Sequence, residues 1–566
     1  MRKLRLAVLA LVVSAAAHAS RITVTLLATT DLHGNIDPID YYTDRPAARG
    51  LAKIATLIAG VRRESANTLL IDCGGTIQGT PLESLYQQFV SAGRLPLGLR
   101  APGRPLAHDP MMLAMNQLGY RAMVVGNHEF NFGLKNLDRA RADARFPWIS
   151  ANIAAEPGAH VKPFPPYVVE TVGGVKIAII GITTPAIPEF EEPAHYRGYA
   201  FADGVQAVRS ALEEVRRSEK PDLVIVAAHA GLGRDPSTIR AGEGFRSENM
   251  VLQIAREIPG LDAIVYGHSH QQMAGEEVNG ELLVQPKNWG MSLGRIDFVL
   301  ESRPDGRWKL VSKSSRLIPV KPETPAAPAM IEIARPYHEL TERYLDTPVA
   351  SSPIDMDGRF GRIEDSPLVD AIQAVERYYA KADVSFTALF NPRVSVRKGP
   401  VTVRQIAALY IYENDLYAIE GTGGMVKDAL ENAASYFLSC PDAACSHGPL
   451  TGRRVPGFNY DMASGVEYEI DLTQPEGRRI VNLRRNGRPL APDEKLRIAI
   501  NSYRAGGSGG YRMFRGAKVV WKSPEDLRSL IVRYYSQHGK LPSRAQNNWR
   551  IVPAEARKIL EAEAGQ

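Results

Sequence analysis

The chain has 566 residues, of which 44% are hydrophobic and 23% are charged, and its formal net charge at pH 7 is +6. These values exclude a collagen-like, a low-complexity and a wholly disordered chain, and the length is sufficient for more than one domain. The positive excess is small, and part of it lies at Arg2, Lys3 and Arg5. Such a charge argues against a protein that coats nucleic acid or a membrane surface.

The first residues have the three-part pattern of a secretory signal peptide. Positive residues at 2–5 precede an apolar run at 6–17, and Ala17-His18-Ala19 forms an A-x-A cleavage pattern. The apolar run is shorter than the about 20 residues that span a bilayer. We therefore expect removal of residues 1–19 and a periplasmic or secreted protein, with no transmembrane segment in the mature chain.

Short apolar runs alternate with helical stretches from residue 22 to about 300, which predicts an α/β region. The Pro-rich passage 319–328 predicts a linker, and 330–345 a connecting helix. A second α/β region follows from about 349 to 521, and the remaining tail is predicted to be helical. The predicted strands of the first half are 22–28, 68–71, 122–125, 175–182, 223–228 and 263–266, and helices are predicted at 205–217, 366–381, 403–409 and 425–437.

The corresponding domain boundaries are a signal peptide at 1–19, a first domain at 22–318, a linker with its helix at 319–346, a second domain at 347–525 and a tail at 526–566. The three cysteines do not form a disulfide scaffold. Cys440 and Cys445 flank a short loop-like sequence, and they either pair in an oxidising compartment or remain free thiols. Cys73 follows a predicted strand and is interpreted as a small buried hydrophobic residue.

Most predicted strands of the first half are followed by Asp, Asn or His. In open α/β sheets, ligands gather at the carboxyl ends of the strands. Any one of these motifs also occurs in ordinary turns and caps, so the prediction depends on their recurrence. Imidazole combined with carboxylate or amide oxygen suits Zn, Mn or Fe better than Ca. The motifs at these strand ends predict a metal site, and their candidate residues are Asp31, His33, Asn127, His229, His268 and His270, with His128 beside them.

The order Asp-x-His, Gly-Asn-His-Glu, His, Gly-His-x-His resembles that of the calcineurin-like metallophosphoesterases. From residue 22 to about 521 the chain resembles the exported bacterial 5′-nucleotidase and 2′,3′-cyclic-nucleotide 2′-phosphodiesterase/3′-nucleotidase family. The motifs at 30–36, 78–81, 126–133 and 503–507 favour the cyclic-phosphodiesterase branch. The resemblance implies an α/β protein with an N-terminal calcineurin-like β-sandwich flanked by helices. A linker would join it to a C-terminal α/β substrate domain of the 5′-nucleotidase type.

The resemblance also implies two divalent metal ions. Ions roughly 3.5–4 Å apart would clamp the phosphoryl oxygens and activate a water, and His128 would face the phosphate and stabilise its developing charge. The implied ligands are Asp31, His33 and His270 for the first ion, and Asn127, His229 and His268 for the second.

One position departs from the family pattern. The family has an Asp that bridges both ions, whereas this chain has Gly75 there. Two dications without a bridging anion repel each other, so the second ion should bind more weakly. The site could work with one ion, or with both ions bridged by hydroxide or by the substrate phosphate. Alternatively, Asp72 could shift to bridge them, or the protein could bind nucleotides with little turnover.

The second half contains the residues that the resemblance assigns to the nucleoside. Phe458 and Tyr503 would sandwich the base, and such stacking is worth roughly 1–3 kcal/mol per base; the alternative is that either ring belongs to the core. Asp461 would accept a hydrogen bond from the base or ribose. Asn391 and Arg393 follow a predicted strand at 384–390, where Arg393 either contacts base or phosphate or is a surface arginine.

Two functional hypotheses follow. The first is an exported metal-dependent phosphoesterase that hydrolyses nucleoside 2′,3′-cyclic phosphates and 3′-nucleotides to nucleoside and phosphate, with a broad 5′-nucleotidase as the nearest alternative. The second is a nucleotide-binding homologue whose catalysis is impaired at Gly75. In either case we expect a small nucleotide ligand, no nucleic-acid polymer, and a monomer. The resemblance further implies that the second domain rotates, with residues 330–345 near the hinge.

Overall fold

The computed structural model describes residues 20–100, 106–233, 248–412, 414–440, 442, 445, 448–452 and 454–565. The predicted signal peptide lies outside these residues. Within the described part of the chain, no helix has both the length and the apolar composition that crossing a bilayer requires.

The first half contains two six-stranded β-sheets packed face to face. Apolar side chains from both sheets, among them Leu26 and Ile177, meet between them in one buried cluster. In spatial order, the strands of the first sheet are Trp308–Pro319, Ser292–Ser302, Arg21–Thr29, Thr68–Asp72, Ala122–Val124 and Trp148–Ile149. Those of the second are Met273–Val278, Glu281–Gln285, Ala263–Tyr266, Leu223–His229, Val175–Thr183 and Tyr167–Val172.

Helices cover the outer faces of this sandwich. Gly204–Ser218 shows why they form: the Asp203 side chain accepts a hydrogen bond from the Gln206 backbone N–H, and buried Val208 and Val215 repeat at helical spacing. The described α-helices of this domain are Leu51–Glu64, Pro81–Gln88, Pro110–Leu118, Leu134–Asp143, Ile187–Phe190, Gly204–Ser218 and Val251–Glu257. Short strand pairs at its margins are Ile39–Asp40 with Arg45–Pro46 and Ile153–Ala155 with Tyr199–Phe201.

Parallel pairing brings the ligand-bearing strand ends to one edge of each sheet. Arg21–Thr29 runs parallel to Thr68–Asp72, and Leu223–His229 runs parallel to both Val175–Thr183 and Ala263–Tyr266. All six strands predicted for the first half are confirmed, as is the helix predicted at 205–217. The predicted α/β class and β-sandwich are therefore correct.

The helix Pro328–Leu345 confirms the predicted connecting helix and contacts both halves of the protein. Arg404, from the second domain, donates hydrogen bonds to the Glu342 carboxylate of this helix and, at 2.6 Å, to the Tyr41 carbonyl of the first domain. The Pro-rich passage before the helix is anchored by Lys53, whose Nζ donates to the carbonyls of Lys321 and Pro322.

The second domain contains a five-stranded and a four-stranded sheet. The strands of the first are, in spatial order, Asp461–Ser464, Val384–Ala388, Lys495–Asn501, Asp415–Thr422 and Val519–Asp526, and those of the second are Arg488–Pro489, Ile480–Arg485, Glu467–Asp471 and Trp549–Val552. Two further strand pairs are Pro348–Ser352 with Gly399–Thr402 and Met356–Asp357 with Ser395–Val396. The described α-helices are Pro367–Ala380, Val403–Leu409, Gly423–Ala434, Ser502–Ala505, Leu527–His538 and Ala554–Ala564.

These elements confirm the three helices predicted in the second half, although the third ends at Ala434 rather than 437. The predicted separate tail at 526–566 is instead part of the domain, because the strand Trp549–Val552 pairs in parallel with Glu467–Asp471. This four-residue strand lies between two helices, and it is too short for its period to be recognised. Cys440 and Cys445 form a disulfide, which is the first of the two alternatives that the sequence left open. Cys73 is a buried free thiol, as predicted.

Candidate active site

The three residues expected to hold the first ion lie together at the edge of the sandwich. Asp31 Oδ1 is 3.6 Å from His270 Nε2 and 3.9 Å from His33 Nε2. The two imidazole nitrogens are 3.0 Å apart, and one donor atom from each of the three residues lies within 4.8 Å of the others. Asp31 and His33 follow the strand Arg21–Thr29, whereas His270 follows Ala263–Tyr266 in the other sheet, so the fold brings the third residue to the first two.

The chemistry of this group fits a divalent cation. Asp31 Oδ2 accepts hydrogen bonds from Thr30 and from the His268 backbone N–H, whereas its buried Oδ1 has no hydrogen-bond partner. His33 Nδ1 is 2.9 Å from the carbonyl oxygen of Gln78, so its proton lies there and Nε2 carries the lone pair. An unpartnered carboxylate oxygen and an imidazole lone pair directed into one small space are the donors that Zn, Mn or Fe require.

The predicted second ligand set is also assembled. His229 Nδ1 donates to the Cys73 carbonyl at 2.8 Å, which leaves the Nε2 lone pair 2.9 Å from Asn127 Oδ1. His268 Nε2 is 2.8 Å from Glu248 Oε1, and the His229 and His268 rings are 5.1 Å apart. An outer hydrogen bond on each ring is the usual arrangement of metal-binding histidines. The three predicted ligands are neutral donors, in contrast to the first set.

Four of the six predicted ligands have left-handed backbone conformations, with φ of 49° at Asp31, 48° at His33, 70° at His268 and 54° at His270. This conformation costs a residue with a side chain roughly 1–2 kcal/mol. Such costs concentrate at functional sites, where the surrounding structure compensates for them. Here they turn the four side chains into one pocket.

Electrostatics prepare most of the imidazoles for metal binding. Burial lowers the pKa of His33 to about 4 and those of His128 and His229 to about 3, with neighbouring charged groups contributing less. Burial also acts to lower the pKa of His268, but the hydrogen bond that its ring donates to the Glu248 carboxylate, together with the charge of that carboxylate, raises it overall. Neutral imidazole is the form that ligates metals, so His33 and His229 are ready to bind a cation near neutral pH.

Gly75 lies between the two ligand sets. It has a φ of +75°, and a β-carbon at this position would lie 3.0 Å from Asp31 Oδ1 and 3.0 Å from His229 Cε1. Asp31 belongs to the first set and His229 to the second. A carboxylate at position 75 would therefore project between them, as the family pattern requires, and glycine leaves that place without an anion.

The alternative in which Asp72 supplies the bridge is contradicted by its surroundings. Its Oδ2 accepts a 2.6 Å hydrogen bond from Thr29 Oγ1, and its Oδ1 accepts from the Gly74 N–H at 2.8 Å and from Thr76 Oγ1 at 3.1 Å. The carboxyl group is fully buried, and burial raises its pKa to about 8. Asp72 stabilises the strand end and does not replace the missing ligand.

His128 begins a short 3₁₀ turn, His128–Phe130, and lies beside the first ligand set. Its ring meets that of His33 edge to face, with ring centres 4.8 Å apart. Its Nδ1 is 2.8 Å from Asn131 Oδ1. Sequence reasoning missed Asn131, although its position three residues after His128 in a helical turn is the spacing at which side chains meet.

The two rings expected to bind the base are exposed. Phe458 is 40% and Tyr503 is 46% accessible, which contradicts the alternative that either belongs to the core. They lie on neighbouring short helical segments, Gly457–Asn459 and Ser502–Ala505. A third exposed aromatic residue, Tyr412, is 39% accessible and packs edge to face on Phe390, with ring centres 5.1 Å apart.

Asp461 has a different role from the one predicted. It is 1% accessible, and both oxygens accept 2.7 Å hydrogen bonds from the buried Arg504, so neither faces a ligand. Arg504 also donates to the Phe458 carbonyl at 2.8 Å. The ion pair thus ties the segment that bears Phe458 to the segment that bears Tyr503.

Glycines in the same region pack against this pair. A β-carbon at Gly509, where φ is +69°, would lie 2.4 Å from Arg504 Nη1. Of the two remaining residues predicted to bind substrate, Asn391 uses its Oδ1 to accept a hydrogen bond from the Arg393 backbone N–H at 3.0 Å, and Arg393 is exposed.

A cavity of about 600 Å³ lies between the two domains. Its wall includes Asn131 and Phe132, which closely follow His128, and Ser502, which precedes Tyr503. The cavity therefore borders both the segment that carries the catalytic candidate and the segment that carries a base-binding candidate.

Comparisons with known proteins agree with this division. Residues 24–272 match the calcineurin-like phosphoesterase family, and residues 346–516 match the 5′-nucleotidase C-terminal domain. The 2′,3′-cyclic-nucleotide 2′-phosphodiesterase/3′-nucleotidase of Salmonella typhimurium is 29% identical over 630 residues, covering 99% of this chain and 94% of that protein. The Bacillus subtilis trifunctional nucleotide phosphoesterase protein YfkN is 28% identical over 96% of this chain, which spans 40% of that protein's length.

Among solved structures, a 5′-nucleotidase candidate from Staphylococcus aureus in complex with α-ketoglutarate superposes with a TM-score of 0.76 and 25% identity, covering 94% of this chain and 99% of that one. The chain belongs to the metallophosphoesterases that join a calcineurin-like domain to a 5′-nucleotidase C-terminal domain.

Proposed function

We propose that this protein is exported and hydrolyses nucleoside 2′,3′-cyclic phosphates and the resulting 3′-nucleotides to nucleoside and phosphate. The observation that carries the proposal is the Asp31–His33–His270 cluster, whose buried Asp31 Oδ1 lacks a hydrogen-bond partner. Such an atom is costly in the absence of a cation. The second domain adds exposed aromatic rings suited to a nucleobase.

The chain's own residues have separable roles in this proposal. Asp31, His33 and His270 would hold one divalent ion, and Asn127, His229 and His268 a second. Such ions supply Lewis-acid stabilisation to a phosphoryl group. His128 keeps a proton on Nδ1 towards Asn131, and an approaching phosphoryl oxygen favours protonation of Nε2 as well. His128 would then donate a hydrogen bond to the charge that develops in the transition state.

Substrate selection is assigned to the second domain. Phe458 and Tyr503 would stack on the base, a contact that tolerates different bases because every base has a π-face. Arg504 and Asp461 would hold the two ring-bearing segments in place. The preference for cyclic substrates is supported by relatives of this name, which match 96–99% of the chain at 28–29% identity, whereas relatives named 5′-nucleotidase match at 24–26%.

The direct test is phosphate release from 2′,3′-cyclic AMP, 3′-AMP and 5′-AMP by the Mn²⁺-loaded protein. We expect turnover of the first two, and its loss in the His128→Ala and Asp31→Asn variants. Preferential hydrolysis of 5′-AMP would replace the proposal with a 5′-nucleotidase. Export is tested separately, by sequencing the N-terminus of protein recovered from the periplasm or medium, where we expect a chain that begins at Ser20.

Gly75 supports a second candidate function, a nucleotide-binding protein without efficient turnover. Calorimetric titration with 2′,3′-cyclic AMP separates the two functions. A pure binding protein would keep its affinity after chelation of metal and lose it in Phe458→Ala, with no phosphate released by the wild type. Loss of both binding and turnover on chelation would exclude this second candidate.

A further inference from the structure

A chain of four polar side chains leads from His128 to the interdomain cavity. His128 Nδ1 meets Asn131 Oδ1 at 2.8 Å, and Asn131 Nδ2 donates to Glu191 Oε1. The other oxygen, Glu191 Oε2, is 3.0 Å from His195 Nδ1. Asn131 and Glu191 are 60 residues apart in sequence and belong to different loops. This series of hydrogen-bonded side chains is therefore a feature of the tertiary fold rather than of one local motif.

The Glu191 carboxylate, in the middle of this series of side chains, determines the orientation of the Asn131 amide. An asparagine side chain can rotate by half a turn and exchange its donor and acceptor ends. Beside the histidine alone, either orientation makes one hydrogen bond. An ionised carboxylate only accepts, so Glu191 holds the Nδ2 end of Asn131. The Oδ1 end must then face His128, and His128 must carry its proton on Nδ1.

Burial strengthens this constraint. Glu191 is 8% accessible, so little water competes for its oxygens, and hydrogen bonds to a charged acceptor are stronger than neutral ones. His195, whose side chain is 31% accessible, occupies the second oxygen and anchors the carboxylate from the cavity side. Asn131, Glu191 and His195 all line the cavity between the domains.

We propose that Glu191 is a positioning residue for His128: by fixing the amide of Asn131, it sets the tautomer that His128 presents to the phosphoryl group. The inference rests on the proposed phosphoesterase function. Glu191 touches neither substrate nor ligand set in this role and acts through Asn131. Without it, the amide is free to rotate, and His128 divides between two tautomers. In the tautomer with its proton on Nε2, the donating end of Asn131 faces Nδ1, so His128 does not gain a second proton there and donates to the phosphoryl group only as a neutral imidazole.

The tautomer can be observed directly. Protonated and unprotonated imidazole nitrogens resonate far apart, so ¹⁵N-histidine NMR of the full-length Zn²⁺-loaded protein distinguishes them, with His128→Ala identifying the signals. We expect the proton on Nδ1 in the wild type, and a mixture or a proton on Nε2 in the isosteric Glu191→Gln variant. Glu192→Gln is the matched control: Glu192 pairs with Lys522 at 3.0 Å, and its loss should leave the His128 tautomer unchanged.

Rescue tests the same constraint kinetically. In Glu191→Gln we expect kcat for 2′,3′-cyclic AMP to fall about 10- to 100-fold, the range found for residues that act through a functional group's outer partner, with KM little changed. Asn131→Asp alone places two carboxylates in contact, which is unfavourable. The double variant Asn131→Asp/Glu191→Gln restores an acceptor to His128 Nδ1 and a donor to that acceptor. It should recover the wild-type tautomer and exceed both single variants in kcat.

Two results would overturn the proposal: an unchanged His128 tautomer in Glu191→Gln, or a double variant no more active than the single variants. The proposed function can fail separately. If the wild type releases no phosphate from any of the three nucleotides, the phosphoesterase proposal falls, while the NMR spectra still decide whether Glu191 sets the tautomer.

Discussion

Gly75 faces the unpartnered oxygen of Asp31: a β-carbon at position 75 would lie 3.0 Å from Asp31 Oδ1 and 3.3 Å from Asp31 Cα. The same atom would be 3.0 Å from the His229 ring. The position at which the chain departs from its family is thus the position that faces both ligand sets. Asp31 places a negative charge in the first set, whereas the predicted members of the second set are neutral. This asymmetry predicts two sites of unequal affinity.

We expect the wild-type protein to retain one tightly bound divalent ion per chain after dialysis, and Gly75→Asp to retain two. The added carboxylate would reduce the repulsion between the ions, and aspartate tolerates a positive φ better than most residues. Metal content measured by mass spectrometry gives the stoichiometry, and phosphate release from 2′,3′-cyclic AMP gives the activity. If the second ion lowers the activation barrier by more than about 1.4 kcal/mol, the activity of Gly75→Asp should exceed that of wild type about 10-fold or more.

The matched control is Gly75→Ala, which adds the same β-carbon at a positive φ without a carboxylate. We expect it to bind no second ion and to be less stable than Gly75→Asp by roughly 1 kcal/mol. Two ions in the dialysed wild-type protein would show that the chain compensates for the missing carboxylate in another way, and the prediction of unequal sites would then be wrong.

The exposed rings give a prediction about affinity. Phe458→Ala and Tyr503→Ala should each weaken nucleotide binding by roughly 1–3 kcal/mol, seen as a higher KM or a higher Kd by calorimetry. Stability should change little, because the side chains are 40% and 46% accessible. Tyr378→Ala is the control, since Tyr378 is an equally exposed aromatic of the same domain, 53% accessible, on the helix Pro367–Ala380. An equal loss of affinity in the control would contradict the assignment.

Sequence reasoning recovered the features that repeat over short distances. Strand periodicity and the residues that follow each strand were sufficient to predict the edge where Asp31, His229 and His270 meet. It did not recover contacts between distant segments. Arg504 and Asp461 are 43 residues apart, and no local pattern shows that they pair; Asp461 therefore seemed free to bind a nucleoside.

The same limit applies to Asp72. Its proximity in sequence to Gly75 suggested a replacement ligand, whereas its hydrogen bonds to Thr29 and Thr76 direct its carboxyl group elsewhere. Strand pairing determines which of two nearby carboxylates enters a pocket, and this depends on the three-dimensional register of Thr29 beside Asp72.

The buried pair Arg504–Asp461 predicts a strong effect on stability. Removing one partner leaves an uncompensated buried charge, so Arg504→Ala should lower the free energy of unfolding by about 3–5 kcal/mol. Denaturant unfolding measures this loss. The exposed pair Lys518–Glu420, with side chains 72% and 59% accessible, provides the control: Glu420→Gln should cost less than about 1 kcal/mol. Comparable losses in the two variants would mean that Arg504 contributes no more than a surface charge.

Asp72 predicts a pH dependence of stability. Burial raises its pKa from 3.8 to about 8 in the folded protein, so between these values unfolding releases a proton and becomes more favourable as the pH rises. The contribution of Asp72 to the free energy of unfolding is constant below about pH 4, where the group is protonated in both the folded and the unfolded protein. It is also constant above about pH 8, where the group is ionised in both. Asp72→Asn removes it while preserving the acceptor for Gly74 and Thr76 and supplying a donor to Thr29. Relative to wild type, the variant should gain a few kcal/mol between about pH 4 and pH 8.

The measurement is urea unfolding of both proteins across this range, in the presence of a chelator so that metal affinity does not contribute. Asp305→Asn is the control, because Asp305 is an exposed turn residue whose carboxylate accepts from the Arg307 backbone N–H. We expect the stability difference between Asp72→Asn and wild type to widen steadily with pH, and that between Asp305→Asn and wild type to stay flat. If the free energy of unfolding has the same pH dependence in Asp72→Asn and in wild type, the buried carboxyl group is ionised in the folded protein. The hydrogen bonds from its three donors would then outweigh the cost of burying its charge.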